Sequence, residues 1–282
     1  MLVRLERLSF LPPGLCILPL NPGGGLDCST SRALLIDRFE VTWAEWTAWS
    51  EDALVANGAN VAPVRTNAAP LRTNENAPAV WMNRDEARQF AKAQGMRLPT
   101  AREWLRVAAG TRAQRWPWSS QDAESRTNTL DLRLSRAIAA GSFPLDATPA
   151  GVHDLLGNVA EWVDGELIPL QDSNESRAWA MGGSYLAHKR PIYQHGRDGL
   201  AVCGELVEPD QRSIDLGLRL VVDAEEYLLA SLHGWRPNAE EHARLVEIGK
   251  RWGLAAQQLL SELSKRPNAP IALDALLEGV RS

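Results

Sequence analysis

Asp154-Leu155-Leu156-Gly157-Asn158-Val159-Ala160-Glu161-Trp162 sets a glycine and an asparagine between two carboxylates and closes on a tryptophan. Glycine and asparagine enter left-handed backbone at least cost, so Gly157-Asn158 reads as a tight turn. Around such a turn the Asp154 and Glu161 carboxylates, with the Gly157 and Val159 carbonyls, are the raw material of an oxygen-ligand Ca2+ site. Glu161 is equally suited to accept backbone N–H groups within the turn. Trp162 adds a large ring, which is more naturally core than ligand platform.

Upstream, Thr100 and Glu103 form a capping box. They predict a helix that buries Trp104, Leu105 and Ala108 and stops at Gly110. A preceding helix is signalled by Asn83 and Asp85 at its start, by Ala87, Phe90 and Ala91 on one face, and by Gly95 at its end. Earlier still, residues 33–41 read as a strand, and Thr42 with Glu45 caps a helix carrying Trp43, Trp46 and Trp49 at three-residue spacing. Residues 51–80, rich in Ala, Asn, Pro and Thr, read as a long surface loop without chemistry.

Downstream to residue 222 only short apolar runs appear, with small strands expected within 179–186 and 216–222. Beyond that the texture turns helical: 225–232, 238–252, and a last segment carrying Leu273, Leu276, Leu277 and Val280. The expected organisation is therefore a body over 1–223 and a helical extension over 224–282. About 60 residues is thin for an independent core, so the extension is expected to dock on the body or on a partner.

Hydrophobic residues make up 45% and charged residues 23% of the 282, the balance of an ordinary globular chain. A net charge of −5 without a Lys/Arg-dense run argues against nucleic acid or an anionic membrane surface as main partner. No apolar run approaches the ~18 residues of a membrane-crossing helix. The charged start, followed by Pro12-Pro13, is not a secretory signal. Three widely spaced cysteines, Cys16, Cys28 and Cys203, argue against a disulfide framework and for a reducing compartment, the cytoplasm. Eleven Trp against three Tyr and four Phe point to irregular segments packed around large rings.

Read in order, Arg97-Leu98-Pro99-Thr100-Ala101-Arg102-Glu103-Trp104, Trp116-Pro117-Trp118, Gly157 to Trp162, Gly182-Gly183-Ser184-Tyr185 and Gly217-Leu218-Arg219-Leu220 form one pattern. It resembles the landmarks of the sulfatase-modifying-factor family, which includes the formylglycine-generating enzyme and the substrate-binding domain of ergothioneine-synthesising sulfoxide synthases. The resemblance implies an α+β, C-type-lectin-like, loop-rich domain, here with a helical C-terminal extension. It also implies a structural calcium held by Asp154, Gly157, Val159 and Glu161. The family's other calcium site is poorly matched, since only Asn128-Thr129 resembles its start.

In the formylglycine-generating enzyme two cysteines follow the Gly-Gly-Ser element and bind Cu(I). Those positions here are Ala187 and Ile192. Neither ligates copper nor forms a mixed disulfide, so the resemblance implies no copper and no cysteine-to-formylglycine oxidation. Met181 replaces the arginine that often precedes Gly-Gly-Ser, and Cys203 lies well outside the motif.

Two functional readings follow. In the first, the chain is a catalytically silent module whose old cleft holds a peptide, protein partner or small ligand through Ser184, Tyr185, His188, Arg190, Tyr193, His195 and Arg197, since arginine forks and aromatic faces suit such recognition. Arg190 and Arg197 read equally well as solvated loop charges. In the alternative, His188 and His195, with Asp198 or Glu205, build a metal-dependent oxidase or oxygenase centre. Ser184 with His188 is a weaker hydrolase pair, because a strand-turn-helix elbow is lacking. A variable ligand-display role suits the fold but not the long tail.

Overall fold

The computed structural model describes residues 1–20, 24–57, 74–119, 121, 125–165, 177–196 and 199–282. The chain opens with α1 (Leu2–Glu6), β1 (Leu8–Leu11), β2 (Ile17–Leu20), β3 (Gly24–Asp27) and β4 (Leu34–Asp37). Three helices follow: α2 (Trp43–Asn57), α3 (Arg84–Ala93) and α4 (Ala101–Ala109). Next come β5 (Ala160–Val163), β6 (Ala178–Met181), β7 (Tyr193–Gly196), β8 (Gly199–Val202), β9 (Gly204–Val207), β10 (Leu216–Leu218) and β11 (Val221–Asp223). The chain ends in α5 (Ala224–Leu232), α6 (Ala239–Trp252), α7 (Leu254–Ser264) and α8 (Ala272–Arg281). These elements form two compact units, one of residues 15–29 and 39–220, the other of residues 1–14, 30–38 and 221–282.

The larger unit is built on a four-stranded sheet in the order β10-β5-β6-β9, with β10 parallel to β5 and the other pairs antiparallel. Every residue of β5 is buried, which is why this strand shows no apolar-polar alternation. The helices start where their caps predict: Asn83 with Glu86, and Thr100 with Glu103, close reciprocal capping boxes. The tryptophan helix packs by rings, Trp46 stacking on Phe90 at 5.2 Å with Trp49 edge-on to both.

Two expectations are corrected here. Residues 51–57, read as the start of a loop, continue α2 to Asn57. The strand read over 33–41 ends at Asp37, because Glu40 turns inward to serve a buried turn 118 residues away instead of extending a ladder.

The smaller unit holds an antiparallel sheet in the order β1-β4-β11 and helices α1 and α5 to α8. The helices expected after 222 are present, and α7 is an addition. Their apolar stripes are used within the unit: Leu228, Leu232, Leu245, Ile248, Leu260, Leu263, Leu273 and Leu276 are all buried. The N-terminal residues are tied to α6, since the Trp252 indole donates to the Leu8 carbonyl (3.0 Å) and Arg244 forks the Glu6 carboxylate at 2.7 Å. No helix among the described residues is long and apolar enough to cross a membrane.

Candidate functional site

The turn at residues 154–158 is the hub of the larger unit. Asp154 (φ 57°), Gly157 (φ 80°) and Asn158 (φ 55°) all adopt left-handed backbone. Asn158 uses its whole amide: Nδ2 donates to Glu40 Oε2 (2.6 Å), and Oδ1 accepts from Asn128 Nδ2 and the Ile138 N–H. Glu40 Oε1 accepts the Val159 N–H at 3.1 Å. A Cβ on Gly157 would lie 2.3 Å from the Asn128 carbonyl, a backbone atom that cannot step aside. Gly157→Ala is expected to cost about 3 kcal/mol, from left-handed strain and overpacking together. An unchanged denaturation midpoint would contradict this turn geometry.

Beneath the turn, Glu161 meets Arg219, both fully buried. Glu161 Oε1 accepts from Arg219 Nη2 (2.6 Å) and Nε (3.1 Å); Oε2 accepts from Arg219 Nε (3.0 Å) and from the Trp104 indole N–H (2.7 Å). Arg219 Nη2 also donates to the His153 carbonyl. Burial works against the guanidinium charge, but Glu161, Glu40 and Asp154 outweigh it and hold Arg219 above its usual pKa. Burial, then the Asp154 and Glu161 charges, push the Glu40 carboxyl well up. Burial and then Asp146 push Asp154 up to about 7.

This arrangement bears on the calcium site implied by resemblance. A carboxylate offers about four lone-pair positions, and here Glu161 has four contacts, three of them to a guanidinium. Asp154 Oδ2 accepts the Gly141 N–H at 2.6 Å. The four groups Asp154, Gly157, Val159 and Glu161, as placed, do not fit a calcium ion, because Arg219 occupies the carboxylate that would hold it.

Above the hub, Gly182 (φ 92°) accepts the Gly157 N–H and donates its own N–H to the Cys203 carbonyl (2.7 Å). A cavity of about 180 Å³ opens there, lined by Gly182, Gly183, Ser184, Ala187, Cys203 and Asp215, with His188, Lys189, Arg190 and Glu205 also bordering it. Ser184 Oγ donates to Asp215 Oδ2 (2.6 Å), and the Ser213 hydroxyl also donates to Asp215. His188 instead pairs with Asp131 at 2.7 Å on the surface. Ser184 and His188 therefore engage different carboxylates, which argues against the hydrolase pair.

Of the two positions that carry copper-binding cysteines in the formylglycine-generating enzyme, Ala187 lines this cavity, while Ile192 is fully buried. The Ile192 carbonyl accepts the Cys203 N–H at 2.9 Å. Cys203, distant from the motif in sequence, thus forms part of the cavity wall, a placement the sequence reading missed. Backbone pairing across the β-ladder, which residue spacing does not show, brings it there. Burial, the largest cause, pushes its thiol up to about 12, and that of Cys28 likewise. Both stay protonated at neutral pH and are poor nucleophiles and ligands. At pH 7.5 the native protein is expected to leave both unalkylated over a period that fully labels the unfolded chain; native labelling seen by mass spectrometry would overturn this.

The other expected ligand-binding residues disperse. Ser184, His188 and Arg190 border the cavity. Tyr185 and Tyr193 are buried instead, and the Tyr193 hydroxyl donates to the Ala113 carbonyl. The His195 side chain and the whole of Arg197 and Asp198 lie outside the described residues. Among the described residues, no three His, Cys, Asp or Glu side chains gather into a group that could hold a metal ion.

The family model for the sulfatase-modifying factor enzyme 1-like domain matches residues 26–224. The inactive C-alpha-formylglycine-generating enzyme 2 of Bos taurus is 28% identical over 159 residues, 53% of this chain and 51% of that protein. The hercynine oxygenase of Mycobacterium tuberculosis is 33% identical over 89 residues, 30% of this chain and 21% of that one. The chain thus spans about half the length of the first of these curated relatives and less of the second. Among solved structures, PvdO from Pseudomonas aeruginosa superposes with a TM-score of 0.56 at 21% identity, over 76% of this chain and 93% of its own, which establishes the α+β fold.

Proposed function

Since the chain belongs to the sulfatase-modifying factor enzyme 1-like family, we propose that it is a catalytically silent member whose cavity beside Gly182-Gly183-Ser184 binds a peptide or small polar ligand. The observation that carries this reading is the pair Ala187 and Ile192. One lines the cavity without a donor atom, and the other is fully buried. The one thiol in the wall, Cys203, is held protonated by burial. A single protonated thiol supplies neither a bis-thiolate copper site nor a mixed-disulfide partner. That a relative at 28% identity bears the name of an inactive formylglycine-generating enzyme supports the same reading.

What remains in the cavity is recognition chemistry. Asp215, oriented by two serine hydroxyls, faces the same space as Lys189 and Arg190, so both signs of charge are presented to a ligand over a short distance. The buried thiols suit a reducing, cytoplasmic setting. The test has two arms. Incubated with Cu(I), oxygen and a cysteine-containing sulfatase-type peptide, the protein is expected to yield no formylglycine. A panel of free amino acids and short peptides titrated into 15N-labelled protein is expected to shift amides of residues 182–190 and 203–205 for at least one member, and an Ala187→Trp variant to lose that response. Peptide oxidation, or shifts that Ala187→Trp leaves intact, would sink the proposal.

A further inference from the structure

The smaller unit carries a second concavity, of about 570 Å³, unrelated to the family's cleft. Phe10 of β1, Pro12 and Pro13 just beyond it, and Ala255 and Leu259 of α7 contribute apolar side chains to its lining. On α7 the lining positions are Ala255, Gln258, Leu259 and Glu262, spaced so that they form one continuous stripe along the helix. Its border is acidic: Asp223, Glu225, Glu226 and Glu262. Two arginines answer these four carboxylates. Arg32 bonds Asp223 (3.3 Å) and reaches Glu226 (3.7 Å), and Arg266 holds Glu225 (2.8 Å). Glu262 accepts from the Gln258 amide, with no ion pair to it among the described residues, and the Glu226 side chain is 74% exposed. Among the described residues the border therefore keeps an excess of two negative charges beside these apolar side chains, in a groove of ligand-binding size.

We propose that this groove docks a basic peptide segment of a partner protein, with lysine or arginine beside an apolar side chain. The groove would bury the apolar group and the aliphatic stems, while Glu226 and Glu262 meet the cationic heads at the border. Charge complementarity selects this occupant. A nucleic acid would meet like charge, and an acidic peptide would be repelled.

The experiment uses the full chain and a fluorescein-labelled peptide of alternating lysine and leucine, followed by anisotropy. Binding that weakens with added salt is expected. The double substitution Glu226→Lys, Glu262→Lys should weaken it at least about tenfold, the scale of losing two facing charge pairs. Ala255→Trp, which fills the groove without touching a charge, should weaken it comparably. Both changes lie on exposed helix faces, and unchanged melting will verify that the variants fold. A leucine-glutamate peptide and spermine are the controls. The proposal is overturned if the basic peptide does not bind, if it binds both variants as well as the parent, or if spermine competes as strongly as the unlabelled peptide, since charge alone would then suffice.

Discussion

Arg219→Met is expected to lower stability by about 4 kcal/mol, because it leaves the fully buried Glu161 carboxylate without its cation. Methionine has nearly the right length, so little of this loss comes from volume. For a chain of this size the change corresponds to a fall in Tm on the order of 10 °C. Glu161 sits among further acids: Glu40, driven toward protonation by burial and by the Asp154 and Glu161 charges, and Asp154, driven the same way by burial and Asp146. Removing a guanidinium that interacts with all three therefore costs more than a single pair. The double variant Glu161→Gln, Arg219→Met should lose less than the sum of the two single variants, because a buried pair removed together leaves no orphan charge. The same experiment decides what cation holds the turn. With Arg219 contacting both Glu161 oxygens, EDTA is expected to leave melting unchanged. Chelator-sensitive melting in a protein that tolerates Arg219→Met would instead make Asp154, Gly157, Val159 and Glu161 a calcium site.

This pair also marks the limit of what the sequence discloses. Helix starts were legible because their chemistry is local. Asn83 and Glu86, or Thr100 and Glu103, are three residues apart and meet in any helix that begins there. The left-handed turn at Gly157-Asn158 was legible for the same reason. Glu161 and Arg219 are 58 residues apart, and each belongs to a separate sequence landmark; the parallel pairing of β10 with β5 brings Arg219, the residue after β10, beside Glu161. Cys203 looks remote from the site in sequence because separation along the chain does not report distance in space. It reaches the cavity wall because its backbone bridges Ile192 and Gly182. Strand β1 is not legible in the sequence, since Leu8 to Leu11 is buried on both faces and offers no alternation. Helix α7 is hidden in the sequence because Gly253, at φ 59°, marks the end of α6, yet a second helix starts directly after it.

Trp104→Ala is expected to be as damaging as the loss of Arg219, by a different route. The ring is fully buried, its indole N–H is spent on Glu161 at 2.7 Å, and its Cζ2 lies 3.3 Å from where a side chain on Gly182 would begin. Removing it opens a large cavity directly under the backbone of Gly182, which lines the cleft, at a cost of about 3 to 5 kcal/mol. Trp104→Phe keeps most of the volume and deletes the donor, so it should cost only about 1 to 3 kcal/mol, the penalty for one hydrogen bond withdrawn from a buried carboxylate. Denaturant midpoints rank the two. A second readout separates local from global damage: Gly182 N–H holds the Cys203 carbonyl, so loss of the support beneath Gly182 should let an alkylating reagent reach Cys203 under native conditions. Labelling of Cys203 in Trp104→Ala, but not in Trp104→Phe, would mean that the tryptophan volume keeps the cleft wall closed. Near-native melting of Trp104→Ala would count against the core on which this site is built.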